Sequence, residues 1–167
     1  MRFGGGWGSL VLLLLAALVL LRPWESLDFG DEPPRSANVV VTRVVDGDTV
    51  EVRLDGRTED VRYIGVDTPE TVKPGAPVDC FGPQASAFNH RLVEGRRVRL
   101  VLGVERRDVY DRLLAYVYLG DRFVNAELVR RGLARTLTIP PNDRYAERFK
   151  RLEIAASRAG RGLWGAC

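Results

Sequence analysis

At 167 residues, with 46% hydrophobic and 28% charged positions, the chain can build one domain with a real core and is too short for two comfortable ones. A formal net charge of +3 permits a polyanionic partner without demanding one. Lys73 and Lys150 are the only lysines, so nearly all positive charge is guanidinium; this suits bidentate phosphate contact, but GC-rich coding is the weightier explanation.

The sharpest compositional break comes first. Phe3 to Leu21 carries no charge, and Leu10 to Leu21 is continuously apolar between Arg2 and Arg22. That core has the length of a signal-peptide apolar region of about 7–15 residues. The full uncharged stretch approaches the roughly 17–25 residues of a spanning helix. No small-x-small cleavage site follows, since Arg22-Pro23-Trp24-Glu25 comes next, which favours an uncleaved N-terminal anchor over a removed signal. Residues 1–21 are therefore expected to be a hydrophobic signal or anchor helix, and residues 22–36, charged and Pro-containing, a linker. The folded domain is expected over residues 37–167, outside the cytoplasm, secreted or held at the membrane through residues 3–21. In such an oxidising space the two cysteines, Cys80 and Cys167, form a candidate disulfide pinning the C-terminus to the central loop.

From Val39 to Val45 the chain is mostly β-branched, and Val50, Val52 and Leu54 then alternate with Glu51 and Arg53, the period of a half-buried strand. Asp55-Gly56 is a two-residue hairpin signal, so Val61 to Val66 should return antiparallel. Pro83 marks the start of a helix on which Phe88 and Leu92 stack and which Gly95 ends. Strands are expected at Arg97 to Val104 and Leu113 to Leu119, then a short helix over Arg122 to Arg131 stopped by Gly132. Asn142-Asp143 can cap a longer helix with Tyr145, Phe149, Leu152 and Ala156 on one face. Five such strands suggest a small closed or partly closed barrel.

Two acidic pairs fall at strand ends, Asp46-Gly47-Asp48 and Asp67-Thr68-Pro69-Glu70, and hairpin geometry can bring both to one rim. A hard cation such as Ca²⁺ takes about six to eight oxygens, which two carboxylates, a backbone carbonyl and waters can supply. Asp-Gly-Asp alone is most often a plain turn, and the loop is not an EF-hand, because Val50 and Arg57 stand where oxygen ligands are needed. Arg62 sits inside a strand, an awkward place for a charge unless it faces a polar cleft, and Arg112 directly precedes another strand. Single arginines are usually solvated. Two beside a carboxylate pair can clamp a phosphodiester. His90 reads as a solvated or locally bonded helix residue, Trp164 as packing, and Tyr116 and Tyr118 as barrel and surface aromatics.

Taken together and in order, VVDGDTVEV, RYIGVDTPET, GPQASAF, DVYDRLLAYVY and VNAELVRRGLAR resemble the staphylococcal nuclease (thermonuclease) family, over about Val39 to Trp164. The resemblance implies an α+β, mainly β, five-stranded OB-fold barrel with three helices, and Ca²⁺-dependent cleavage of DNA and RNA, single-stranded or locally opened, by a monomeric catalytic domain. It implies that Asp48, Asp67 and the carbonyl of Thr68 hold calcium, with Asp46 just behind them. Glu70 is then the carboxylate that activates or orients the attacking water. Arg62 and Arg112 contact phosphate, and Tyr110 lies near a bound terminal phosphate. The spacing from Glu70 to Gly82 fits the family's mobile loop. Two departures stand out: Asp111 replaces a glycine of the type member and Val109 a lysine, and in RTLTIPPND Thr138 and Pro140 stand where base-stacking aromatics are expected. Weaker nucleotide binding or altered base preference follows, stacking being worth about 1–3 kcal/mol per base.

The rival reading is a non-catalytic OB-fold module that binds nucleic acid or protein. Such modules generally lose the charged positions, whereas Asp48, Asp67, Glu70, Arg62 and Arg112 are all present. An acidic rim holding calcium for stability alone leaves the two arginines unexplained.

Overall fold

The computed structural model describes residues 36–71 and 78–167. The expected N-terminal hydrophobic helix and nearly all of the expected linker lie outside the described residues, as does the middle of the segment from Glu70 to Gly82.

Strand β1 (Ser36–Val44) pairs antiparallel with β2 (Thr49–Leu54), and β2 pairs with β3 (Arg57–Tyr63) through the Asp55-Gly56 turn. Both turn residues have positive φ, 51° and 78°, the backbone of a type I′ hairpin. On its other edge β1 pairs with β5 (Arg97–Arg107), and β5 with β6 (Leu113–Leu119). The circle closes where β6 runs parallel to β3, matching Val61 with Leu113 and Tyr63 with Ala115. The result is a five-stranded closed barrel of OB type, filled by Val41, Val50, Val52, Val61, Tyr63, Val98, Leu100 and Val117, all fully buried. Alternation explains the filling: in β2, Val50 and Val52 face inward while Arg53 faces solvent.

The expected continuous strand from Val61 to Val66 is instead two. Gly65 has a φ of 80°, where the chain leaves the β3 ladder, and Gly65–Asp67 becomes β4, paired antiparallel with β8 (Arg135–Leu137). A side chain on Gly65 would stand 2.4 Å from the ring of Phe149, so the break also seats the last long helix. Helix α1 (Gly82–Val93) carries Pro83 in its first turn, as the sequence suggests. The expected helix from Arg122 is shorter: Arg122–Phe123 forms strand β7 on the edge of β6, and α2 covers Val124–Arg130. Helix α3 (Ala146–Arg158) buries Phe149 and Ala156, with Tyr145 and Leu152 half-buried beside them. Asn142 does not cap it. Its side-chain oxygen accepts from the Glu105 amide and its NH₂ donates to the Glu105 carbonyl, at 3.1 and 2.8 Å, tying the loop to β5. A four-residue turn of helix, α4 (Leu163–Ala166), ends the chain. Cys80 and Cys167 are joined by a disulfide, their Cα atoms 6.0 Å apart.

Candidate active site

The rim site begins with a buried carboxylate. Asp48 sits in the short loop between β1 and β2, 3% exposed. The loop is held from both sides: the Asp48 amide donates to the Asp46 carboxylate at 2.9 Å, and Asn89 of α1 donates to the Asp46 carbonyl at 3.2 Å. Asn89 is itself fully buried and accepts from the Tyr63 hydroxyl at 3.2 Å. The barrel interior and α1 thus set the position of the first acidic pair.

Thr68, just past β4, closes on Asp48. Its amide and its hydroxyl both donate to one Asp48 oxygen, at 2.6 and 2.9 Å. Arg62 lies opposite Thr49 in the β2–β3 ladder, and its guanidinium reaches the other Asp48 oxygen at 2.5 Å and Asp67 at 2.8 Å. A further N–H donates to the Val66 carbonyl at 3.1 Å. The strand arginine is therefore mostly buried because it faces two carboxylates, which answers the awkwardness of its position. Burial pushes the Asp48 carboxyl up to about 7, and the nearby Asp46 charge adds to this, although Arg62 and the two Thr68 donors pull the other way. One guanidinium thus serves two carboxylates, Asp48 and Asp67.

The second side of the site comes from two loops. Glu70 follows β4, its carboxylate accepting from the Thr71 amide at 2.8 Å. Its backbone is strapped to Asp79: the Glu70 amide donates to the Asp79 carboxylate at 3.0 Å and the Asp79 amide returns to the Glu70 carbonyl at 2.9 Å. Arg112 is fastened by Asp108, which accepts from the Arg112 Nε at 2.8 Å and from the Arg112 and Tyr110 amides at 3.0 and 2.9 Å. Partial burial alone would raise the Asp108 carboxyl, but these donors together hold it below the ordinary carboxylate range. Tyr110 is 77% exposed, with the Arg112 guanidinium 5.3 Å from its ring centre.

A single cavity of about 270 Å³ is lined by Asp46, Asp48, Arg62, Asp67, Thr68, Glu70, Tyr110 and Arg112. All the rim residues singled out in the sequence meet there. The Asp111 carboxylate turns to Arg107, pairing with it at 3.6 Å, and its carbonyl accepts from the same guanidinium at 2.6 Å, while Arg107 also pairs with Glu59 at 2.9 Å. Asp108, Asp79 and Asn89 were not assigned roles from sequence. Asp108 alone left a trace there, an acidic side chain four residues before a candidate phosphate arginine, at loop rather than helix spacing. His90 pairs with Glu94 on the surface of α1, away from the cavity. Thr138 and Pro140 are exposed and line no part of it.

Among the described residues no group of three or more His, Cys, Asp and Glu is gathered as a metal centre. A cation here would rest on two carboxylates with neutral oxygens. The donor chemistry fits a hard cation: every candidate ligand is oxygen, and the two carboxylates, Asp48 and Asp67, share a single guanidinium.

Barrel and rim cavity together define a class, an OB-fold protein whose charged site is built on strand ends and the loops beside them. Within that class the chain belongs to the family described as staphylococcal nuclease homologues, whose model matches residues 60–166. It is 40% identical over 160 residues to a thermonuclease of Staphylococcus intermedius, covering 92% of this chain and 95% of that one. A thermonuclease of Staphylococcus hyicus is 36% identical over 162 residues, with the same 92% and 95% coverage. Endonuclease YncB of Bacillus subtilis (strain 168) is 40% identical over 129 residues, 76% of this chain and 61% of that protein.

Proposed function

We propose that this protein is a calcium-dependent nuclease that hydrolyses phosphodiester bonds of DNA and RNA within the strand, with little base specificity, outside the cytoplasm. One observation carries the reading: side chains of opposite charge from four separate segments line the same small cavity, Arg62 and Arg112 beside Asp48, Asp67 and Glu70. A stability site for a cation has no use for the arginines, and a plain phosphate-binding site has none for the carboxylates. Relatives named thermonuclease and endonuclease, at 36–40% identity over most of this chain, support the same conclusion.

Asp48, Asp67 and the Thr68 carbonyl would hold the calcium ion, which when bound supplies Lewis-acid polarisation of the phosphate and balances negative charge. Arg62 presents a planar fork of donors, of which some already meet Asp48, Asp67 and Val66, leaving others for a phosphate oxygen. Arg112, aligned by Asp108, approaches from the other side. Together they offset the charge that develops on the equatorial oxygens as the phosphorus is attacked. Glu70 takes the proton of the attacking water, a contribution typically worth about 10²–10⁴ in rate. Attack in line with the 5′-oxygen breaks that bond and leaves a 3′-phosphate. Contacts to the backbone alone explain low base specificity, since phosphates carry no sequence information.

The test is cleavage of single-stranded and duplex DNA and of RNA, with calcium or with chelator, followed by end-group analysis. We expect cleavage only with calcium and 3′-phosphate ends. A folded, calcium-binding protein that cleaves none of these substrates overturns the proposal in favour of a binding module. Fractionation of producing cells, with the mass of the recovered chain, decides between a secreted form and one retained by residues 3–21.

A further inference from the structure

On the helical side of the domain, α1, α2 and the turn before α4 enclose a groove of about 630 Å³ lined by Phe81, Phe88, Arg91, Arg130, Arg131 and Arg161. All four arginines are exposed and both phenylalanines half-buried. Among the described residues one carboxylate answers this set: Glu127 meets Arg130 at 2.7 Å and Arg131 at 3.2 Å. Arg161 donates to the Arg130 carbonyl at 3.4 Å, and neither it nor Arg91 has a described carboxylate at ion-pair distance. Among the described residues the groove thus carries more positive charge than neighbouring carboxylates balance. The Arg131 guanidinium lies 4.9 Å from the Phe88 ring centre, a cation resting on an aromatic face.

This groove is joined to the candidate active site by the same stretches of chain. Asp67, Thr68 and Pro69, which wall the active-site cavity, also wall a second cavity with Cys80, Arg135, Leu163 and Cys167. Cys80 precedes Phe81 and Leu163 follows Gly162, both of which border the arginine groove. Arg135, which lines this second cavity, is exposed, its guanidinium 4.4 Å from the Trp164 ring centre. A strand leaving the active site in this direction meets guanidinium and aromatic groups in turn.

We propose that the groove of Arg91, Arg130, Arg131 and Arg161 is a second binding tract for the single strand that is being cut, resting on the nuclease reading for the identity of that strand. Phosphates meet the guanidiniums and bases lie against the Phe81 and Phe88 side of the groove, the combination by which single strands are held without sequence preference. An anionic bilayer is disfavoured, because the aromatic rings are half-buried in the groove floor instead of projecting from it.

The test uses the full chain in detergent with Glu70→Gln in the background, so that binding is read without cleavage. Arg91→Ala and Arg161→Ala are combined, the pair least engaged with Glu127. Affinity for a long single-stranded oligonucleotide and for a dinucleotide is measured by fluorescence anisotropy across a salt series. We expect the long strand to bind more weakly and its log–log salt slope to fall by roughly 1.4, about 0.7 for each lost phosphate contact, with the dinucleotide unaffected. On the active background KM for the long strand should rise while kcat and dinucleotide cleavage stay as they were. An unchanged slope overturns the proposal, as does an equal loss for the dinucleotide. Loss of binding to anionic vesicles without loss for the oligonucleotide reassigns the groove to a membrane. Because the binding arm needs no turnover, a wild-type protein that fails to cleave refutes the nuclease reading and leaves the groove to be judged separately.

Discussion

Replacing Cys80 and Cys167 together by serine removes the one covalent link between the central loop and the C-terminus. The bridge joins residues 87 apart in sequence. Closing a loop of that length in the unfolded chain corresponds to about 4.5 kcal/mol in the chain-entropy treatment. For a domain of this size a shift of roughly 2–4 °C per kcal/mol then predicts a fall in melting temperature of about 9–18 °C. The loss should also reach the rim, because Cys80 follows Asp79, the residue strapped to the Glu70 backbone. The assay is thermal and urea unfolding of wild type and double variant, each with and without reductant. Wild type with reductant should fall to the level of the variant, and reductant should leave the variant unmoved. A wild-type protein whose midpoint ignores reductant, or which yields two alkylatable thiols without it, refutes the reasoning.

Three further substitutions probe the rim and its supports. Arg62→Lys replaces a fork that reaches two carboxylates by a single ammonium, and kcat should fall by about 10²–10³ with the fold retained, as circular dichroism would report; near-normal turnover contradicts the phosphate role. Asp108→Asn should release Arg112 and raise KM or lower kcat. It should also destabilise the domain at neutral pH, and since the folded Asp108 carboxyl titrates below its ordinary range, that stability is present above about pH 4 and is lost as pH falls through the folded value; a stability gap between variant and wild type that does not narrow in acid argues against the ion pair. Glu153→Ala strips the Thr136 amide and hydroxyl of their acceptor, bonds of 2.9 Å each that hold β8 to α3, and should cost about 1–3 kcal/mol in urea unfolding.

How much of this was legible depended on the range of the interaction. Period-two alternation in Val50 to Leu54 and the Asp55-Gly56 turn are local signals, so the β2–β3 hairpin stood out. The rim followed from it, because strand ends bring Asp48 and Asp67 together once the barrel closes. The β4–β8 pair was hidden. Each strand has three residues, too few for a pattern, and their pairing depends on the Gly65 break and on Phe149 packed behind it. Arg122–Phe123 reads as helix because only its pairing with β6 makes it a strand. Asn142 has the composition of a helix cap, yet a distant backbone at Glu105 claims both the oxygen and the NH₂ of its side-chain amide. Asn89 and Asn125 were silent for the same reason. Asn125 accepts from the Val117 amide and donates to the Ile64 carbonyl, both at 2.9 Å, a link between β6 and the end of β3 that sequence neighbours do not disclose.

The most direct test of the central claim compares wild type with Glu70→Gln on single-stranded DNA in calcium. The substitution keeps the size and a hydrogen-bonding oxygen beside Thr71 while removing the base. We expect wild-type cleavage to collapse by about 10²-fold or more in the variant, with calcium binding and melting temperature retained. Equal cleavage by both proteins would contradict the assignment of Glu70 and with it the proposed course of hydrolysis.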